Sequence, residues 1–292
     1  MRVCLMVEGQ EGVTWEQWQA LARAAEDAGL EGLFRSDHYL SILRDAPAGS
    51  LDAWATLAAL ATVTERIRLG TMVSPVTFRP ASVLAKSAVT VDHVSGGRVE
   101  LGIGAGWYEA EHDVYGFPFG TQRSRFDELD RQLAEIHRQW APGSEMWPKP
   151  LQQPRPPIIV GGTARPRAVR AAVQFADEYN TVFPSVEDAR ARRALVDEAA
   201  REAGREPLVF SMMCGCVVGR DRGEARERLA RWREITKQPD VEPPLYGTLD
   251  EVAERLRAYE RAGVERVMLQ HLAHEEIESV ALLGELAAAQ AE

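Results

Sequence analysis

Two periods of apolar and polar positions alternate along the chain. Short apolar runs stand at 3–7, 32–35, 67–73, 99–103, 158–160, 179–183, 208–218 and 266–270, and their length and bounding turn residues read as strands. Between them lie amphipathic segments at 15–28, 51–63, 82–94, 125–140, 167–176, 186–203, 223–233 and 249–262, and a last one at 275–289, which read as helices. Capping chemistry supports several of these boundaries. Thr14 is followed three residues later by Gln17 and Thr248 by Glu251, the reciprocal pattern that satisfies free N–H groups at a helix start. Gly29 and Gly263 follow two of the helices, where a left-handed residue closes the last turn.

Eight strand–helix units in succession imply parallel strands joined by helical crossovers. Eight units fit a closed (βα)8 TIM barrel better than an open doubly wound sheet, and the first strand is not followed by the G-x-G-x-x-G of a dinucleotide fold. The Pro-dense stretch "APGSEMWPKPLQQPRPP" at 141–157 falls between units four and five. Neither flank has enough strands for a sheet of its own, so we read it as a surface loop, a short insertion within one domain spanning 1–292.

Bulk composition narrows the function classes. The 292 residues are 45% hydrophobic and 27% charged, with a formal net charge of −10. That balance argues against a general nucleic-acid surface, which needs a basic face. No apolar run reaches the roughly 18 residues of a membrane span, and the N-terminus "MRVCLMVEGQ" does not read as a signal peptide. Three cysteines, Cys4, Cys214 and Cys216, are too few and too oddly numbered for a disulfide scaffold, which points to a reducing cytoplasm. Cys214 and Cys216 sit in an apolar run at C-x-C spacing and read as core-strand residues.

In a (βα)8 barrel the active site forms at the C-terminal ends of the strands, so the residues there are the candidates. The first strand ends in Glu8-Gly9-Gln10, the second in Ser36-Asp37-His38-Tyr39, the third in Thr71-Met72-Val73-Ser74-Pro75 and the fifth in Gly161-Gly162-Thr163. Asp37-His38 pairs a carboxylate with the side chain that titrates near neutrality, suited to acid–base work or to holding a polar ring; a lone His after a strand also serves plain structural ends. Gly161-Gly162-Thr163, followed by Arg165 and Arg167 at a helix start, reads either as a phosphate cradle or as an ordinary strand–helix turn. His271 and His274 stand beside Glu275 and Glu276, but a metal reading lacks ligands from other strands, and none is expected. The fourth strand runs into "RVELGIGAGWYEAEHDVYGF" at 98–117, where glycines give way to Trp107, Tyr108 and a cluster of charge.

Together "SDHY", the stretch from "RLGTMVSPVTFRP" through "GIGAGWYEAEHDVYGFPF", and "PPIIVGGTARPRAVRAAVQFADEYN" resemble the luciferase-like monooxygenase superfamily, and within it the branch that uses the deazaflavin coenzyme F420. The resemblance runs over about residues 1 to 290. It implies a single barrel with the ring over the strand ends. Asp37 and His38 match the pair beside the ring and are the catalytic candidates, His38 for proton handling. Thr71, Met72 and Val73 match the bulge of the third strand that backs the ring, often with a non-prolyl cis peptide. Ala105, Gly106 and Trp107 match the loop along the cofactor, with Gly102, Gly104 and Gly106 letting the backbone pass close to the ring, and Gly161, Gly162 and Thr163 match the phosphate turn. Glu8, Trp107 and Glu109 are expected to border the substrate, while the segment between Trp140 and Pro154 is shorter than the insertion that often shapes the substrate mouth in relatives.

The expected function is hydride transfer between F420 and an unidentified small organic substrate. An FMN-dependent two-component flavin monooxygenase is the alternative, and a phosphate-binding barrel hydrolase or isomerase a remote one. Arg79, Arg165 and Arg167 are expected to supply cations for the acidic tail of F420. The apolar richness of helices 51–63 and 82–94, with the resemblance, implies a homodimer.

Overall fold

The structure, a computed structural model, describes residues 1–43 and 48–290. Eight parallel strands close into a barrel: β1 (Arg2–Val7), β2 (Gly32–Arg35), β3 (Arg68–Thr71), continued after a break by β4 (Ser74–Pro75), β5 (Val99–Gly104), β6 (Ile158–Gly162), β7 (Glu178–Val182), β8 (Val209–Gly219) and β10 (Arg266–His271). Neighbours follow the chain, and β10 closes the ring by pairing β1 on one side and β8 on the other. β9 (Leu245–Thr248) pairs the far half of β8 outside the ring. The strands are buried on both faces because helices cover the outside, as parallel sheets require.

Long helices follow the strands: α1 (Trp15–Asp27), α2 (Ala53–Ala61), α3 (Ala81–Ser95), α5 (Gln122–Trp140), α6 (Pro166–Phe175), α7 (Val186–Glu202), α8 (Arg222–Thr236), α9 (Leu249–Arg261) and α10 (Ser279–Ala289). The boxes at Thr14 and Thr248 form as expected, joined by two more at Thr121 and Ser185. Elements that the pattern does not announce are short: a 3₁₀ turn at Gly9–Glu11, α4 (Glu109–Tyr115), β4 and β9.

Inside the barrel the side chains form layers. At the N-terminal end of the strands Arg266 is buried and paired with Glu100 at 2.7 Å, Glu178 at 3.0 Å and Glu31 at 2.8 Å, and Arg68 also bonds Glu100. Breaking such a buried cluster leaves an uncompensated charge, at a cost of about 3–5 kcal/mol. Above it Cys4, Met6, Phe34, Ile159, Met213 and Met268 make an apolar plug. Everything above the plug is cavity.

The 141–157 segment lies at the opposite face from the mouth. Backbone N–H groups of Leu151 and Gln152 donate to the Asp92 carboxylate, and His93 Nε2 lies 2.7 Å from the Lys149 carbonyl. Asp92 and His93 end α3, whose C-terminus lies at the bottom of the barrel, so this segment does not border the cavity.

Candidate active site

A cavity of about 900 Å³ opens over the C-terminal strand ends, at the upper end of the range for a small-molecule site. Its floor begins with a packing constraint between β3 and β5. After Thr71 the chain breaks out of the ladder, with the Met72–Val73 peptide cis, and rejoins β5 at Ser74. A Cβ on Gly102 would overlap the Thr71 carbonyl oxygen, and one on Gly104 would lie 2.7 Å from Val73 Cγ2. These glycines therefore serve the bulge of the third strand, a correction to the view that they chiefly make room for a ring. The bulge delivers Met72 and Val73 to the cavity wall, while Thr71 stays buried with its hydroxyl donating to the Gly102 carbonyl at 2.8 Å.

Past Gly106, at φ 80°, the chain enters α4. Its His112 lies 2.7 Å from both the Tyr108 carbonyl and the Thr77 hydroxyl, and the rings of Tyr39, Phe78, Tyr115 and Phe117 pack around it and each other. This aromatic cluster fixes the helix against the loops after β2 and β3 and turns Glu111 inward. Glu111, 1% exposed, meets His38 Nδ1 at 2.7 Å and accepts the Tyr39 backbone N–H at 3.0 Å. Burial by itself lowers the His38 pKa; the Glu111 hydrogen bond and the charges of Glu111, Glu8 and Asp37 outweigh it, and the net shift is upward. Trp107 meets the His38 ring edge-on at 5.8 Å and is 61% exposed, so it is a wall of the mouth rather than buried packing.

At the end of β1 the Glu8 carboxylate accepts from Gln10 Nε2 at 2.9 Å and from Gln270 Nε2 at 2.7 Å. Ser36 donates to Gln10 Oε1 and accepts from the Gly9 N–H. All four side chains line the cavity. Counting around the ring, β6 stands four strands from β1 on either side, so Gly161-Gly162-Thr163 faces Glu8 across the barrel. That end carries the cations. Arg165 lines the cavity and has no ion pair among the described residues; Arg125, from α5, donates only to the Gly106 and Gly120 carbonyls and lies over Phe119. A Cβ at Gly161 would meet only Val73 Cγ1 at 3.5 Å and the Asn180 carbonyl at 3.8 Å, so its cavity side is open.

The sequence profile of the family described as luciferase-like monooxygenase matches residues 3–288. The chain belongs to the luciferase-like monooxygenase family. It is similar to an uncharacterized protein of Mycobacterium tuberculosis (strain ATCC 25618 / H37Rv), 31% identical over 82% of this chain and 90% of the relative. It is also similar to an FMNH(2)-dependent dimethylsulfone monooxygenase of Pseudomonas putida, 29% identical over 63% of this chain and 53% of that protein. Among solved structures, an F420-dependent secondary alcohol dehydrogenase in complex with an F420-acetone adduct superposes with a TM-score of 0.82 over 99% of this chain and 98% of that one, at 19% identity. The family thus has F420-dependent and FMN-dependent oxidoreductases and monooxygenases among its members.

For this luciferase-like chain the structure gathers Glu8, His38, Met72, Val73, Ala105, Gly106, Trp107, Gly161, Gly162 and Thr163 around one cavity. Three expected residues are not at its wall. Asp37 is buried and bound by the Ser74 hydroxyl and Arg79, each at 2.6 Å; Thr71 points into the β5 backbone; Glu109 is exposed on α4. Two expected tail cations are spent elsewhere: Arg79 on Asp37 and Asp52, Arg167 on Asp127 and Asp130. Gln10, Ser36 and Gln270 stand at strand ends, but sequence reading gives them no role, nor does it give one to Glu111; it misses Arg125, and also the wall from α8 to β9, where Trp232, Val241, Pro243 and Pro244 line the mouth.

Proposed function

We propose that the protein is a coenzyme F420-dependent oxidoreductase that moves a hydride between the deazaflavin and a small organic substrate. The observation that carries this reading is the pair of cavity arginines without carboxylate partners, Arg125 and Arg165, beside the open Gly161–Thr163 turn and the N-terminus of α6. In a protein of net charge −10, cations left unpaired at one end of a cavity fit an anionic ligand. Two cations match a phosphate diester followed by a carboxylate, the start of an acidic coenzyme tail; a terminal phosphate of charge about −2 uses both as well. The bound coenzyme supplies the carbon that gives or takes the hydride.

The chain's residues do the rest. Gly161, Gly162 and Thr163 take the phosphate on backbone N–H groups. Met72 and Val73 back the ring, and Ala105 and Gly106 border it. Glu111 holds the His38 Nδ1 hydrogen, which leaves Nε2 to exchange a proton as the substrate changes oxidation state, a role worth roughly 10²–10⁴ in rate. Asp37 supports this site at one remove, by holding Arg79 and the loop after β2.

FMN is the second reading, favoured by the similarity to the FMNH(2)-dependent monooxygenase; the same turn takes a single terminal phosphate. Visible-absorbance titration of the pure protein with each compound tests both. Tighter binding of F420 supports the proposal, binding of FMN alone overturns it in favour of a flavin monooxygenase, and binding of neither removes both. A homodimer belongs to the same proposal, supported by Val83 and Val94, which stay exposed on α3.

A further inference from the structure

We infer that the substrate is an uncharged molecule with an apolar body that presents an O–H or N–H donor to Glu8, and that carboxylates and phosphates are excluded as substrates. The inference rests on the coenzyme reading only in that the arginine end of the cavity belongs to the coenzyme. What remains is the space over β8, β10, β1 and β2. Its polar floor is the chain from Gln270 through Glu8 and Gln10 to Ser36. Both Glu8 oxygens accept amide N–H groups, and Glu8 is only 8% exposed. The two amides hold the carboxylate in one orientation.

Among the described residues no lysine or arginine pairs with Glu8; His38, whose pKa the Glu8 charge helps to raise, is held by Glu111. The cavity arginines stand on the β5–β6 side, across the ring, and Arg233, on α8, is paired with Glu242 at 3.7 Å. A second carboxylate, Glu111, is committed to His38. An anionic substrate at the Glu8 floor meets repulsion from a carboxylate that is itself only 8% exposed, where screening is weaker than in bulk water. A donor finds the unused lone pairs of Glu8, and a hydrogen bond to a charged group is among the stronger kind.

The collar above the floor is apolar. Ile42 and Leu43 come from the loop after β2, Trp232 from α8, Val241 and Pro243 from the segment before β9, and Leu272 from the end of β10. Such walls reward an apolar body at roughly 25 cal/mol per Å² buried. The polar groups of the same lining are few, Thr236, Gln238 and Glu242.

The test uses three ligands on one ring: cyclohexanol as donor, cyclohexanone as acceptor only, and cyclohexanecarboxylate as anion. Their binding to the pure full-length protein is followed by calorimetry and by tryptophan fluorescence, since Trp107 and Trp232 border the cavity. Cyclohexanol should bind about ten-fold more tightly than the ketone, and the carboxylate more weakly than both. Glu8→Gln should bring the alcohol-to-ketone ratio close to one and narrow the penalty on the carboxylate, with the thermal unfolding midpoint checking that the variant is folded. A carboxylate that binds as well as the alcohol, a Glu8→Gln variant with unchanged ratios, or no binding of any of the three overturns the inference; the wild-type ranking decides even if the variant fails to fold. The coenzyme titrations are read separately, so loss of F420 and FMN binding with the donor preference intact sinks the coenzyme reading alone.

Discussion

Glu111 Oε1 lies 2.7 Å from His38 Nδ1 although the two residues are 73 positions apart. This contact fixes the ring nitrogen available to a ligand and raises the His38 pKa against the effect of burial. His38→Ala should lower turnover about 10²–10⁴-fold with coenzyme affinity nearly kept. Weaker coenzyme binding with turnover recovered at saturation instead marks a positional role, and no change in either removes His38 from the site. Steady-state kinetics beside absorbance titration separates the outcomes.

Glu111→Gln should move the His38 titration downward, read by imidazole NMR. The sign for stability follows from the raised folded-state value. The pair's contribution is fully present below the unfolded pKa of about 6.5 and is lost as pH rises through the higher folded value. The difference in unfolding midpoint between wild type and Glu111→Gln should therefore be largest near about pH 6 and shrink toward alkaline pH. A gap that grows with pH would contradict the charged pairing.

Arg165→Glu should weaken coenzyme binding about ten-fold or more, with the loss greatest at low ionic strength. Arg167→Glu, on a residue already shared between Asp127 and Asp130, should weaken it far less. Equal losses for the two would remove the special role of Arg165.

Gly161→Ala should leave folding intact, because the new Cβ meets nothing closer than 3.5 Å, yet reduce coenzyme affinity by filling the backbone approach. Gly102→Ala should do the reverse. Its Cβ overlaps the Thr71 carbonyl, so unfolding should come earlier by the upper part of the about 1–3 kcal/mol typical of overpacking. Thermal unfolding and ligand titration on both variants check the pair, and a Gly102→Ala protein as stable as wild type would show that the β3 bulge shifts freely.

Sedimentation at micromolar concentration should find a dimer. The exposed surplus on α3 is small, since Trp54, Leu57 and Leu60 of α2 and Leu84 and Val89 of α3 are buried within the chain itself. A species of 32.4 kDa would remove the homodimer.

Local pattern determined the scaffold. Strand and helix periods, two capping boxes and the order of units specified a closed barrel, and the barrel's directionality turned strand ends into site candidates: Glu8, His38, Met72, Val73 and Gly161 were legible because each follows a recognisable strand. What tertiary structure decided was which of these meet, and through what. Glu109 and Glu111 are indistinguishable in sequence, but on a helix residues two apart point about 200° away from each other, and only the packing of α4 by the His112 ring cluster chose Glu111 for His38. Gln270 and Glu8 are 262 positions apart and meet only because β10 closes against β1. Asp37, beside His38 in sequence, sits on the opposite pleat of the chain and is taken by Arg79. The charge separation from Glu8 to Arg165 exists only once the ring places β1 opposite β6, since through-space electrostatics depends on barrel closure and not on sequence order.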